Sequence, residues 1–209
     1  MFNLKTLLAQ CCCGLALLAS HAAHAVPTYH VSIDTAGLAG HGLMDFTFLA
    51  NAGATPATAV LNNFSGAFGA AFDRTPGATG GITDGIVLGN QNGGDYLTQF
   101  VDLGGVFSFD VRFDGDFATT ENIDESQFDA TLYNDDLTAY LGGTGSFAEF
   151  VLVPQLGGIP GTVLASSPTG LANVTQAAPV PEPSSPLLAL TALCMLGFVR
   201  GRRSFNRHH

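Results

Sequence analysis

Phe107-Ser-Phe-Asp-Val-Arg-Phe113 lies near the middle of the chain, and its character alternates residue by residue. Phe107, Phe109, Val111 and Phe113 share one face, while Ser108, Asp110 and Arg112 share the other. A period of two is that of a β-strand with one face turned to a core. Gly104-Gly105 before it and Asp114-Gly115-Asp116 after it are turn chemistry, so the strand is bounded on both sides.

The same alternation recurs outward from this strand. Tyr29, Val31 and Ile33 alternate with His30, Ser32 and Asp34; Met44, Phe46 and Phe48 alternate with Asp45 and Thr47; Phe128, Ala130 and Leu132 alternate with Asp129, Thr131 and Tyr133. Phe147 to Val153 is nearly continuous in apolar character, as expected of a strand covered on both faces. Val60–Phe64, Ile82–Leu88, Gly161–Ala165 and Leu171–Thr175 are weaker strand candidates, and the Gly/Ala-rich stretch around Arg74-Thr75-Pro76-Gly77 reads as a long loop. No stretch of the body has twelve residues of helical periodicity free of Gly or Pro. Short strands separated by turn signals predict an all-β domain, an antiparallel β-sandwich of jelly-roll type over residues 26–175.

Both flanks of that domain read as targeting segments. Lys5, the apolar stretch Leu7–Leu18 and the small residues Ala23-His24-Ala25 form a signal peptide over residues 1–25, cut by signal peptidase after Ala25. Residues 176–186, rich in Ala, Pro and Val, form an extended linker containing Pro181-Glu182-Pro183. Leu187–Val199 follows as an apolar run, which as a helix spans roughly 20 Å against a hydrocarbon core of about 30 Å. It is too short for a comfortable lasting anchor, which fits a transient inner-membrane insertion. Arg200, Arg202 and Arg203, in the basic end of residues 200–209, place that end in the cytoplasm and the body outside.

This order of elements resembles the PEP-CTERM sorting signal of Gram-negative bacteria: Pro181-Glu182-Pro183, a short transmembrane sorting helix, and a basic end at Arg200, Arg202 and Arg203. The resemblance covers about residues 180–203, with Ser204–His209 running past the usual basic stop. It implies an integral-membrane exosortase, a cysteine peptidase that cleaves near the motif, as processing partner. It further implies a secreted or cell-surface destination and an association with exopolysaccharide and biofilm matrix. Tyr29–Thr35, Phe107–Val111 and Ser126–Tyr133 are similar to strand patterns of other PEP-CTERM proteins of uncharacterised function, which brings no activity with it.

Composition narrows the chemistry of the body. The four cysteines, Cys11, Cys12, Cys13 and Cys194, all lie in the flanks, so no disulfide or thiolate serves the domain. Sixteen of the seventeen acidic residues but only two of the seven basic ones, Arg74 and Arg112, fall in residues 26–178, which leaves that stretch at −14 against −10 for the chain. Such a surface repels nucleic acid and favours cations or neutral sugars.

Only His30 and His41 lie in the body, without a Gly-x-Ser-x-Gly elbow or paired histidines at helical spacing, so neither a serine hydrolase nor a zinc site is indicated. The Gly-rich loops Gly80-Gly81 and Gly142–Gly145 lack the following Lys-Ser/Thr of a phosphate loop. Calcium is the specific metal hypothesis. Asp114, Asp116, Asp124 and Asp129, with Glu121, Glu125 and Asn134-Asp135-Asp136 nearby, supply hard oxygen donors, though not in the order of an EF-hand loop. The bland reading of the same residues is solvated charge on an extracellular surface. No cofactor is otherwise indicated. With no tryptophan in the chain, Tyr96, Tyr133 and Tyr140 are the candidate sugar-stacking rings. The expectation is therefore a non-enzymatic surface or matrix protein associated with extracellular polysaccharide; the competing reading is a secreted glycan hydrolase acting on the matrix, using two carboxylates beside an aromatic.

Overall fold

The alternation at Phe107–Phe113 is realised as a strand, Val106–Gly115, that pairs antiparallel with Thr28–Asp34 on one flank and Ala57–Ser65 on the other. The computed structural model describes residues 27–177. In chain order the strands are β1 (Thr28–Asp34), β2 (His41–Ala50), β3 (Ala57–Ser65), β4 (Phe68–Arg74), β5 (Thr79–Gly81), β6 (Gly85–Gly89), β7 (Asp95–Asp102), β8 (Val106–Gly115), β9 (Ser126–Tyr133), β10 (Ala148–Val153), β11 (Thr162–Ser166) and β12 (Ala172–Gln176). Apart from one 3-10 turn at Asp116–Ala118, the described residues contain no helix, and none is long and apolar enough to cross a membrane.

Two antiparallel sheets pack as a sandwich. The first runs β12-β1-β8-β3-β6-β5 and the second β11-β10-β9-β2-β7-β4. The first eight strands are nested: β1 pairs with β8, β2 with β7 and β3 with β6, while successive strands from β1 to β5 switch sheets. That is the nesting of a jelly roll, a long hairpin rolled over on itself. The fourth nested pair is replaced, because β5 joins β6 rather than β4. β9, β10 and β11 then extend the second sheet as a meander beyond β2, and β12 returns to cover β1.

Phenylalanine fills the space between the sheets. Phe46, Phe48, Phe107, Phe109, Phe113, Phe128, Phe147 and Phe150 are all fully buried. Phe113 is a hub whose ring centroid lies 5.4 Å from Phe150, 6.0 Å from Phe48 and Phe128, and 6.4 Å from Tyr29. Tilted and edge-on pairs at these separations add to what burial alone contributes.

Three readings of the sequence are corrected. The stretch around Arg74–Gly77 is not a long loop but holds β4 and β5. β4 is exposed along nearly its whole length and joins β7 through two register shifts, so it shows no alternation. In β5, Gly80 has φ +80° and a Cβ there would stand 1.9 Å from the Gly85 carbonyl oxygen, so glycine marks a close strand approach. β7 gave no signal because its inward face mixes Leu97 and Val101 with Asp95 and Gln99. β10 is covered on one face only, since Glu149, Val151 and Val153 on the other are half-buried. At the far end β12 takes in Gln176, and the Ala177 N–H donates to Thr28 O, so the sandwich reaches past residue 175.

Candidate functional site

The register of the second sheet lays out its outer face row by row, because residues directly opposite in a ladder share a face. One row crosses four strands: Glu149, Asp129, Thr47 and Tyr96. The row on one side of it is Leu164, Val151, Gln127 and Leu49. On the other side come Thr131, Asp45, Thr98 and Asp73, and beyond them Tyr133, Leu43 and Phe100. Leu43, Thr98 and Thr131 point away from the core yet are buried, so their larger neighbours shelter the centre of this face.

Hydroxyls and carboxylates in that centre are mutually fixed. Asp45 accepts hydrogen bonds from the Thr98 hydroxyl (2.6 Å) and from Thr47, and Asp73 accepts from the Tyr96 hydroxyl at 2.8 Å. That bond to Asp73 raises the Tyr96 phenol above its ordinary value. Aromatic pairs flank the belt: Tyr133 and Tyr140 lie 4.9 Å apart and tilted by 31°, while Phe72 and Phe100 meet edge-on at 5.3 Å. Tyr140, Phe72 and Phe100 are exposed. Burial, followed by the neighbouring Tyr140, pushes the Tyr133 phenol up to about 12, so it stays a neutral donor throughout the physiological range.

At the other end of the face lies a depression of about 390 Å³ lined by Leu49, Asn51, Glu125, Gln127, Asp129 and Val151, together with Ala50 and Ser126. Asp129 is its best-defined polar group. It accepts from the Ser146 hydroxyl at 2.6 Å and from Gln127 Nε2 at 3.0 and 3.2 Å, and the same Nε2 reaches Glu149 at 3.4 Å. Burial raises the Asp129 carboxyl above its ordinary value of 3.8; the Ser146 and Gln127 donors oppose the shift, and Asp45 adds to it. A carboxyl raised in the folded state favours folding most fully below pH 3.8 and loses that contribution as pH rises through its folded value. Asp129→Asn is therefore expected to gain urea-midpoint stability relative to the parent as pH rises from 3.5 to 7.5, and a constant gap across that range would contradict it.

The remaining candidates are dispersed. His30 Nδ1 and Asp110 are 2.7 Å apart on the first sheet, with Asn63 Nδ2 donating to the second Asp110 oxygen, and His41 Nδ1 pairs with Asp102 at 2.7 Å. Neither histidine has a serine hydroxyl bonded to it among the described residues. Asp114 is held by Arg112 through two nitrogens at 2.8 and 3.1 Å, Asp116 sits in the 3-10 turn, Asp124 lies before β9, and Asp129 is on β9. Among the described residues no three of His, Cys, Asp or Glu converge as a group able to hold a metal ion, so the four aspartates proposed for calcium are not brought together. Glu121 accepts from the Gly157 N–H, and Asp136, lowered by its Thr138 partner, closes a turn.

Comparison with known proteins gives a family match after the described residues: residues 179–203 match the PEP-CTERM protein-sorting motif. The chain carries a PEP-CTERM sorting signal. That signal marks it for exosortase-dependent export through the inner membrane to the cell surface of a Gram-negative bacterium. No curated protein and no solved structure matches the chain. The PEP-CTERM residues Pro181, Glu182, Pro183, Arg200, Arg202 and Arg203, the apolar run 187–199, and the signal-cleavage residues Ala23 and Ala25 lie outside the described residues.

The sequence singles out Asp129, for calcium, and Tyr96, Tyr133 and Tyr140, for sugar stacking, but misses Asp45, Asp73, Thr98, Phe72 and Phe100. Each missed residue lies on β2, β4 or β7, and its place on the face depends on cross-strand register. The one local trace was the alternation of Asp45 and Thr47 with Met44, Phe46 and Phe48.

Proposed function

We propose that the exported domain is a non-enzymatic module that holds extracellular polysaccharide on the outer face of its second sheet. The observation that carries this reading is the pairing of aromatic rings, half-buried Tyr133 with exposed Tyr140 and exposed Phe72 with exposed Phe100, around a belt in which Asp45, Thr98 and Tyr96 are fixed by hydrogen bonds. Aromatic faces take the C–H faces of sugars, and rigid polar groups fix ring hydroxyls at little ordering cost. From Asp129 to Tyr133 the face runs about 13 Å along one strand, long enough for an extended oligosaccharide.

The hydrolase reading has one observation in its favour, the raised carboxyl of Asp129 directly across from Glu149. The Gln127 amide, however, donates to Asp129 as well as reaching Glu149, and that bond opposes the protonated acid a glycosidase needs. Binding is the reading that geometry favours. A glycan array probed with the full chain in non-ionic detergent, with and without Ca²⁺, is expected to give retention on one polysaccharide class and no release of reducing ends. Retention should fall at least tenfold in Tyr133→Ala and Phe100→Ala. Release of reducing ends would establish the hydrolase instead.

The fate of the tail is tested separately. A peptidase that cuts near Pro181-Glu182-Pro183 leaves a surface form without the apolar run and the arginines. Intact mass spectrometry of the surface fraction is expected to find a chain ending near residue 180, and replacing all three motif residues with alanine should hold the chain in the inner membrane. A surface form still carrying Arg200–His209 would rule out processing.

A further inference from the structure

We infer that the depression beside Asp129 is a subsite for a protonated amine, so that the polysaccharide taken by this face is an amino-sugar polymer with free amines. This rests on the polysaccharide-binding reading and names the ligand class of the same face. Asp129 and Glu149 are directly opposite on neighbouring strands, an arrangement of like charges that destabilises a sheet. Among the described residues the group bonded to both is the neutral Gln127 amide, which donates to each but neutralises neither. Asp129 and Glu125 line the depression, and Glu149 stands across from Asp129 on β10, outside that lining.

No basic residue of the described chain answers this charge. Arg112 is on the first sheet, paired with Asp114, and Arg74 at the end of β4 donates to the Gly80 carbonyl. The depression also has apolar lining: Leu49, exposed, and Val151, half-buried, both in the row beside Asp129. A volume of about 390 Å³ falls at the lower end of small-ligand sites.

This combination selects a particular chemistry. The C–H face of a sugar ring lies against Leu49 and Val151 while an ammonium donates to Asp129 and Glu149, giving charge-assisted hydrogen bonds. An N-acetyl group would carry no charge to that position, and a uronic acid would bring a third carboxylate. A bare metal ion is the poorer fit, because the carboxylates do not converge as a coordinating group.

The test uses the full chain in non-ionic detergent at pH 6, where amines are protonated, titrated calorimetrically with three probes: a glucosamine hexamer, an N-acetylglucosamine hexamer and a glucuronate-containing hexamer. The glucosamine hexamer is expected to bind at least tenfold tighter than the N-acetylated one, and the glucuronate probe to bind weakest. Asp129→Asn and Glu149→Gln should each weaken the glucosamine hexamer fivefold or more and move the N-acetylated one less than twofold. Glu149 is half-buried and its replacement isosteric, so Glu149→Gln remains informative if Asp129→Asn perturbs the fold. Equal or tighter binding of the N-acetylated hexamer would overturn the amine subsite while leaving the polysaccharide face standing. A glucosamine preference that survives both substitutions would also overturn it, by placing the amine elsewhere, whereas binding of none of the probes and of no array glycan would remove the underlying reading itself.

Discussion

Replacing Phe109 with alanine is expected to destabilise the domain by about 3–5 kcal/mol, the range for deleting a phenyl ring from a close-packed core. Phe109 is fully buried on β8, with its centroid 5.2 Å from Phe46 on β2, edge-on, and 5.8 Å from Phe64 on β3, stacked. It therefore joins one sheet to the other at the strand on which both β1 and β3 pair. The cavity cannot collapse easily, because ladders hold the strand on both sides. For a domain of this size the loss corresponds to a fall in melting temperature on the order of 10 °C. Val106→Ala on the same strand is the control: Val106 is 54% exposed, and its truncation should change stability by less than about 0.5 kcal/mol. A Phe109→Ala effect no larger than that of Val106→Ala would mean that the sheets do not pack through this ring.

That contrast also explains which parts of the fold are legible in the sequence. β8, β1, β2 and β9 each turn an apolar face to the core and a mostly polar one away from it, so alternation reports them directly. β7 turns Asp95 and Gln99 inward, where Asp95 accepts from the Thr75 hydroxyl and the Gly89 N–H, and Gln99 donates to the Gly69 carbonyl. These partners come from β4, β6 and the turn after β4, so the polar residues are satisfied by tertiary contacts that no local window contains. β4 is invisible for the opposite reason, having almost no buried face. The nesting of β1 with β8, β2 with β7 and β3 with β6 is likewise a long-range property, and composition pointed to the jelly roll only by class.

The candidate face follows the same rule. Asp129 and the three tyrosines stand out because they are acidic or aromatic residues, and Asp129 and Tyr133 lie in an alternating stretch as well. Asp45 and Thr98 become neighbours only when β2 and β7 pair, and Asp129 meets Glu149 only when β9 and β10 do. The sorting signal is legible for the reason that the face is not: a peptidase and a membrane read it as contiguous sequence, so its information is local.

The second large effect is expected at Asn90, which follows β6 and is 3% exposed. Its Oδ1 accepts from the Ala57 N–H at 2.9 Å and from Gln91 Nε2 at 2.9 Å, while its Nδ2 donates to Thr55 O and Ser126 Oγ, both at 2.8 Å. One amide thus ties the start of β3 in the first sheet to the start of β9 in the second. Asn90→Ala leaves several buried groups without partners, for an expected loss of about 3 kcal/mol at 1–3 kcal/mol per orphaned group, offset in part by water reaching the half-buried Thr55. Asn90→Asp separates shape from hydrogen bonding. It keeps the acceptor for Ala57 but turns a carboxylate oxygen toward the Thr55 carbonyl, so the ionised form is disfavoured and the folded-state value of the new carboxyl rises above that in the unfolded chain. Stability of Asn90→Asp should then be greatest below about pH 3.9, where the protonated oxygen can donate to Thr55, and should fall as pH rises through the folded-state value. Urea midpoints at pH 3.5 and pH 7 provide the measurement, each taken relative to the parent protein. A deficit that is the same at both values would show that Asn90 acts by packing alone, since only the hydrogen-bonded role predicts that acid restores the variant.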